Sequence, residues 1–169
     1  MRGLGRKKRS TFSFTVAAVL LVSCADAAAP LRPGSPAPSG IERRIGVYEV
    51  MIRRLADPDG PHPIYVLTTL CSLEVECPDR LGPVEQRELN ARLRDDLGPI
   101  VFLDPDTPKP GRYQEIVLGS IRERPDGLRV EGGSICGTLC GSGATYIVVP
   151  SDTGYEVTGT DESEGMWVA

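Results

Sequence analysis

The chain has 169 residues, 40% of them hydrophobic, 25% charged and 5% aromatic, with 19 Gly and 15 Pro. That is enough for one domain with a packed core, and unlike either a fibre or a wholly disordered chain. Its net charge of −4 conceals an asymmetry: five of the 19 basic residues are Arg2, Arg6, Lys7, Lys8 and Arg9, whereas all 23 acidic residues lie from Asp26 onward. So acidic a body argues against nucleic acid as a partner, because phosphate binding draws on Lys and Arg.

The basic start runs into Thr11 to Val22, an apolar stretch of about a dozen residues. This is the size of a signal h-region and too short for a membrane span of about 20 residues. It closes on Leu21-Val22-Ser23-Cys24. These four residues resemble the lipobox of bacterial lipoproteins, in which the cysteine is acylated and becomes the new N-terminus. The resemblance implies a signal peptide over 1–23 and lipidation of Cys24 by acyl chains such as palmitate. The protein would then be anchored to the extracytoplasmic side of a bacterial cell membrane, since several chains together give durable anchoring. An ordinary secretory signal cut at Ala25-Asp26-Ala27 or Ala27-Ala28-Ala29 is the alternative. Asp26 sits awkwardly in the first site, and Pro30 follows the second.

From Ala29 to Gly40 the chain carries four prolines and almost nothing to bury, the composition of an extended tether. Residues 24–40 are therefore expected to form the lipidated N-terminus and tether, and 41–169 a single domain. Ser39-Gly40-Ile41-Glu42 has capping-box spacing, and Ile41, Ile45, Tyr48, Ile52 and Leu55 recur at helical steps until Asp57-Pro58-Asp59-Gly60-Pro61 ends them. Ile64 to Leu70 is a β-branched and aromatic run of strand length. A second helix follows Pro83, with Leu89, Leu93 and Leu97 on one face and Gly98-Pro99 as its stop.

The remainder reads as sheet: Ile100 to Leu103, Glu115 to Ile121, Leu128 to Ile135, Ala144 to Val149, Tyr155 to Thr160, and a last edge strand at Met166 to Val168. Pro125-Asp126-Gly127, a Gly-rich loop and Asp152-Thr153-Gly154 separate them. The expected fold class is α+β, with two N-terminal helices packed on one face of a mostly antiparallel sheet of about five to six strands.

With Cys24 assigned to lipid, Cys71, Cys77, Cys136 and Cys140 remain, an even number that favours disulfides in an exported domain. Chain entropy favours a Cys71 to Cys136 bridge at ~4 kcal/mol over the short loops at ~2 kcal/mol each. Proximity during folding and the flexible Gly137 favour the local pairs, Cys71 with Cys77 and Cys136 with Cys140, which we expect. A redox enzyme would need C-x-x-C, and a zinc site two closely spaced pairs of reduced thiolates; the C-x5-C spacing of Cys71 and Cys77 suits neither.

Cys136, Gly137, Leu139, Cys140, Gly141, Gly143 and Tyr146, followed by Tyr155, Val157 and Trp167, are similar to a C-terminal pattern of uncharacterised bacterial exported proteins and lipoproteins. The pattern is C-G-x-L-C-G-x-G-x-x-Y, then a strand, a turn, an aromatic-x-Val and a final Trp, with Tyr155 here in place of a Trp. It covers about the last third of the chain and implies no activity. The glycines could form an anion-binding nest, but a tight stapled hairpin is the simpler explanation, and no P-loop is present.

His62 is the only histidine, so neither a multi-His metal site nor H-E-x-x-H is available, and the elbow G-x-S-x-G is absent. Asp57/Asp59 and Asp104/Asp106 are explained by turns, and Asp161, Glu162 and Glu164 by a solvated acidic turn. The expected protein is a non-catalytic, lipid-anchored binding or interaction module needing no metal or cofactor. Its partners would be the membrane through Cys24 and an unknown envelope protein or small ligand. Gly137, Gly141, Gly143, Tyr146, Tyr155 and Trp167 form the candidate interaction surface. The alternatives are an exported hydrolase using His62 with a carboxylate, and a small-ligand-binding lipoprotein.

Overall fold

Ser39 starts the folded body as the sequence pattern predicts: its hydroxyl accepts the Glu42 N–H at 3.2 Å and caps α1 (Gly40–Leu55). The Glu42 carboxylate turns away from the cap and pairs with Arg92 at 3.1 Å. The computed structural model describes residues 39–70, 79–109, 113–136 and 140–168. The signal segment with Cys24, the pair Cys71 and Cys77, and Gly137 lie outside the described residues.

The elements after α1 are β1 (Ile64–Leu70), β2 (Asp79–Arg80), α2 (Pro83–Leu97), β3 (Ile100–Leu103), β4 (Gln114–Arg124), β5 (Gly127–Ile135), β6 (Gly141–Ser151), β7 (Gly154–Thr160), the 3₁₀ turn η1 (Glu162–Glu164) and β8 (Met166–Val168). They make one eight-stranded sheet in the order β2-β1-β4-β5-β6-β7, with β3 also beside β1 and β8 beside β6. β7 and β8 pair with successive stretches of the same edge of β6, interrupted only by the excursion through η1.

This corrects the expected fold class. The helices are not both N-terminal to the sheet, since β1 and β2 stand between them, and the sheet is mixed, β1 running parallel to both β3 and β4. The reason is connectivity. After the short β2, which lies antiparallel to β1, the chain crosses back through α2 and enters β3 in the direction of β1, so β3 pairs with β1 in parallel. Antiparallel pairing of consecutive strands builds the half from β4 onward and also joins β2 to β1.

Alternate residues of the strands face the helices: Ile64, Val66 and Leu70 of β1, Ile116 and Leu118 of β4, Leu128 and Val130 of β5, and Val148 of β6. They pack with Ile45, Tyr48, Met51 and Ile52 of α1 and with Leu89, Leu93 and Leu97 of α2. Ile41, expected on the buried stripe, is half exposed, and Met51 and Val47 complete the stripe instead. Between the helices run ion pairs of Arg53 with Asp96 and of Arg92 with Glu42 and Glu49. Arg44 joins α1 to β2 and to the start of α2 through Asp79 and Glu85, each at 2.7 Å.

Two buried polar groups fix α1 against the sheet. The Gln114 amide donates to the Leu55 carbonyl at 3.3 Å and accepts the Asp57 N–H at 3.2 Å, so it satisfies backbone groups left open at the helix end. The Tyr48 hydroxyl donates to the Gly119 carbonyl at 3.2 Å, where the β4–β5 register shifts between Leu118 and Ile121. Burial raises the Tyr48 phenol far above its ordinary pKa. Tyr48→Phe keeps the ring and removes this bond, so urea unfolding should report a loss of about 1 kcal/mol. An unchanged midpoint would show that the bond contributes nothing net.

Candidate functional site

The face of the sheet opposite the helices carries the glycine motif. Gly133 of β5 pairs with Gly143 of β6, which pairs with Trp167 of β8. All three point away from the helices, because Gly132, one residue before Gly133, lies against Met51 and Leu55 of α1. The Trp167 indole lies across this pair. A Cβ on Gly143 would overlap the ring. One on Gly133 would overlap it too and come 2.7 Å from the Ser142 carbonyl oxygen, while Gly141 meets the far edge of the indole at 3.4 Å. The glycines therefore form a flat shelf for an aromatic ring; Gly133 lies in a strand as expected, and Gly141 and Gly143 lie in a strand in place of the expected Gly-rich loop. β6 starts at Gly141, ahead of the expected Ala144.

Next to the shelf, the β5–β6 connection is closed by a disulfide between Cys136 and Cys140, with Cys136 N–H donating to the Cys140 carbonyl at 2.9 Å. The local pairing expected for these two cysteines is the one present. Tyr146 and Tyr155 sit elsewhere. Both face the helices and pack on the core, and the Tyr155 ring lies over Gly46 of α1, whose missing side chain leaves room for it. The candidate surface thus divides. Gly141, Gly143 and Trp167 share the outer face, Tyr146 and Tyr155 the inner one, and Gly137 falls outside the described residues.

Along the outer face from Trp167 lies an ionic network that sequence reasoning missed. Arg129 is 7% exposed and is held by Asp161 at 2.6 Å and Asp126 at 2.8 Å. Arg122 pairs with Glu131 at 3.1 Å and with Glu164. Asp161 also caps η1, accepting the Ser163 N–H at 3.1 Å and its hydroxyl at 2.6 Å. Those hydrogen bonds, and the Arg129 guanidinium, hold the Asp161 carboxyl down at about 2. Burial works against ionisation of Glu164, yet Thr145 and Arg122 outweigh it and keep its pKa below the ordinary value. Asp161 and Glu164 are therefore ties that fold the β7–β8 excursion onto the sheet, not the solvated turn expected of them. The alternation of Arg122 and Arg124, and of Arg129 and Glu131, was the available signal: period-two charge on strands places these groups on one face.

Lys109 and Tyr113, on the connection from β3 to β4, cover the outer side of β1. Lys109 pairs with the buried Glu115, and the Tyr113 ring meets Tyr65 edge-on with centroids 6.2 Å apart.

Among the described residues no hydroxyl or thiol is hydrogen-bonded to the histidine. His62 is exposed, with its Nε2 3.3 Å from the Pro58 carbonyl oxygen, and no carboxylate contacts it among the described residues. Asp57 accepts the Asp59 N–H at 3.1 Å, and Asp104 is engaged by Thr68 at 2.7 Å and by Arg80. Among the described residues no cluster of His, Cys, Asp and Glu could hold a metal ion, and no helix is long and apolar enough to cross a membrane. Compared with known proteins, the chain matches no family model, no curated sequence and no solved structure.

Proposed function

We propose that this protein is a bacterial lipoprotein, anchored through Cys24 on the extracytoplasmic side of the cell membrane, whose folded body is a non-catalytic interaction module. The observation that carries the reading is the order of the N-terminal features: five basic residues, a short apolar stretch, Leu21-Val22-Ser23-Cys24, and a proline-rich tether ending at the Ser39 cap of α1. Two further features support it. The Cys136–Cys140 disulfide suits an oxidising compartment. Many charged groups of the body pair with one another between strands and helices, as in a rigid scaffold that supports a recognition surface.

Metabolic labelling with palmitate and mass spectrometry of the mature N-terminus test the anchor. The expected product begins at an acylated Cys24, and Cys24→Ser loses the label and moves the protein out of the membrane fraction. An unmodified N-terminus at Ala28 or Pro30 would refute the anchor.

A further inference from the structure

Strand β3 pairs with β1 alone among the described residues. The phase of its ladder follows from one bond. Ile64 stands opposite Ile100 and its N–H donates to the Pro99 carbonyl at 3.0 Å. In a parallel pair this turns the backbone groups of Val101 and Leu103 toward β1 and leaves the N–H and C=O of Ile100 and Phe102 on the open edge. An open edge is a template for another strand.

Beside that edge runs α2, and the two flank a wide-open, shallow groove of about 410 Å³ lined by Pro83, Gln86, Arg87 and Asn90 on the helix and by Ile100, Val101 and Phe102 on the strand. Gln86 is occupied, donating to the Leu81 carbonyl at 2.7 Å. Arg87 and Asn90 make no side-chain hydrogen bond or ion pair with any described residue. This contrasts with Arg44, Arg53 and Arg92, each of which is bound to carboxylates. On an acidic protein, an uncommitted guanidinium next to open strand backbone is complementary to an extended chain that carries its own carboxylate.

We propose that the groove between β3 and α2 receives an extended peptide segment of a partner protein. The segment adds to β3 as a new strand, lays alternate apolar side chains against Ile100 and Phe102, and sets an acidic group on Arg87. This is strand addition at a sheet edge, in which main-chain bonds give affinity and the flanking groove gives selectivity. Pro99 and Pro105 bracket the strand, so the added register is short, about four residues. The proposal rests on the interaction-module reading and names the class of partner.

Phage-displayed random linear octapeptides, panned on the immobilised full-length protein in detergent, test it. The expected consensus alternates apolar residues and contains one Asp or Glu. A synthetic peptide of that consensus should lose about tenfold in affinity by fluorescence polarisation when Arg87 is changed to Glu, and regain it when its own acid becomes Lys. Because Arg87 is exposed, the variant should keep the wild-type circular dichroism spectrum. N-methylation of alternate peptide amides should abolish binding in one phase and spare it in the other. No enrichment over an unrelated protein, equal binding to Arg87→Glu, or indifference to both N-methylation phases would each overturn the groove. Cross-linking in whole cells that captured a protein partner only through the Trp167 face would also overturn the groove while leaving the interaction-module reading intact.

Discussion

Gly143→Ala should move the fluorescence of Trp167 to longer wavelength and lower the unfolding free energy by about 2 kcal/mol, within the range for inserting a methyl into a packed site. The methyl group has nowhere to go. It would occupy the space of the indole, and the ring must leave the shelf or the strands must part. Trp167 is the only tryptophan in the chain, so emission reports this one contact without interference. Packing alone makes a further claim: once the ring is gone, the methyl should be tolerated. Gly143→Ala in a Trp167→Ala background should cost well under 1 kcal/mol, the non-additivity expected of two groups that compete for one volume. Gly133→Ala is a different case, because its Cβ would also approach the Ser142 carbonyl oxygen, and removal of the ring should rescue it only in part. If Gly143→Ala leaves emission and stability at wild-type values, the indole does not rest on the shelf. If the double variant is as unstable as the two single losses added together, the two positions do not compete.

The shelf also shows where sequence reading succeeds and where it stops. The residues are visible in the sequence as a glycine-cysteine motif with a distant tryptophan, and Gly133 lies in the expected strand Leu128 to Ile135, but Gly141 and Gly143 fall in the expected loop, since glycine is a poor strand former. The partner of Gly143 on its other edge is Trp167, more than twenty residues further on, and no local pattern in β6 announces it. The helices were legible because their signals are local: the Ser39 cap, the i to i+4 leucines of α2, and the Gly98-Pro99 stop. The mixed sheet was misread for a related reason. A strand, a helix and a strand are legible at β1, α2 and β3, but the two-residue β2 between them carries no strand pattern, and the hairpin signals from β4 onward point to an antiparallel sheet. The interaction surface suffered most. Tyr146 and Gly143 are three residues apart in a strand, an odd separation that puts their side chains on opposite faces. The β3–α2 groove could not be seen at all, because it depends on which edge of β1 each neighbour takes.

Acid should loosen the outer face and the Asp104 contacts beside β1, beginning near pH 5 and ending near pH 2. Four carboxyl groups are held below their ordinary values: Asp161 by hydrogen bonds from Ser163 and Arg129, Asp126 by a hydrogen bond from Arg129, Asp104 by one from Thr68 and by Arg80, and Glu164 by Thr145 and Arg122 against the opposing effect of burial. A depressed pKa means that the folded protein binds fewer protons than the unfolded chain between the two values. The stabilisation is therefore complete above the unfolded carboxyl range, near pH 4, and disappears as the pH falls through the folded values, about 2 for Asp161. Urea midpoints measured from pH 7 to pH 2 should be level down to about pH 5 and then fall, with an uptake on unfolding of up to roughly one proton per group. Arg129→Met separates this network from carboxylates elsewhere. It frees Asp161 and Asp126 from their shared cation, so the variant should be weaker at pH 7 and its acid limb shallower, the two curves converging toward pH 2. A wild-type midpoint that stays level to pH 2, or a variant curve that runs parallel to the wild-type curve throughout, would mean that Arg129 does not tie the β7–β8 excursion to the sheet.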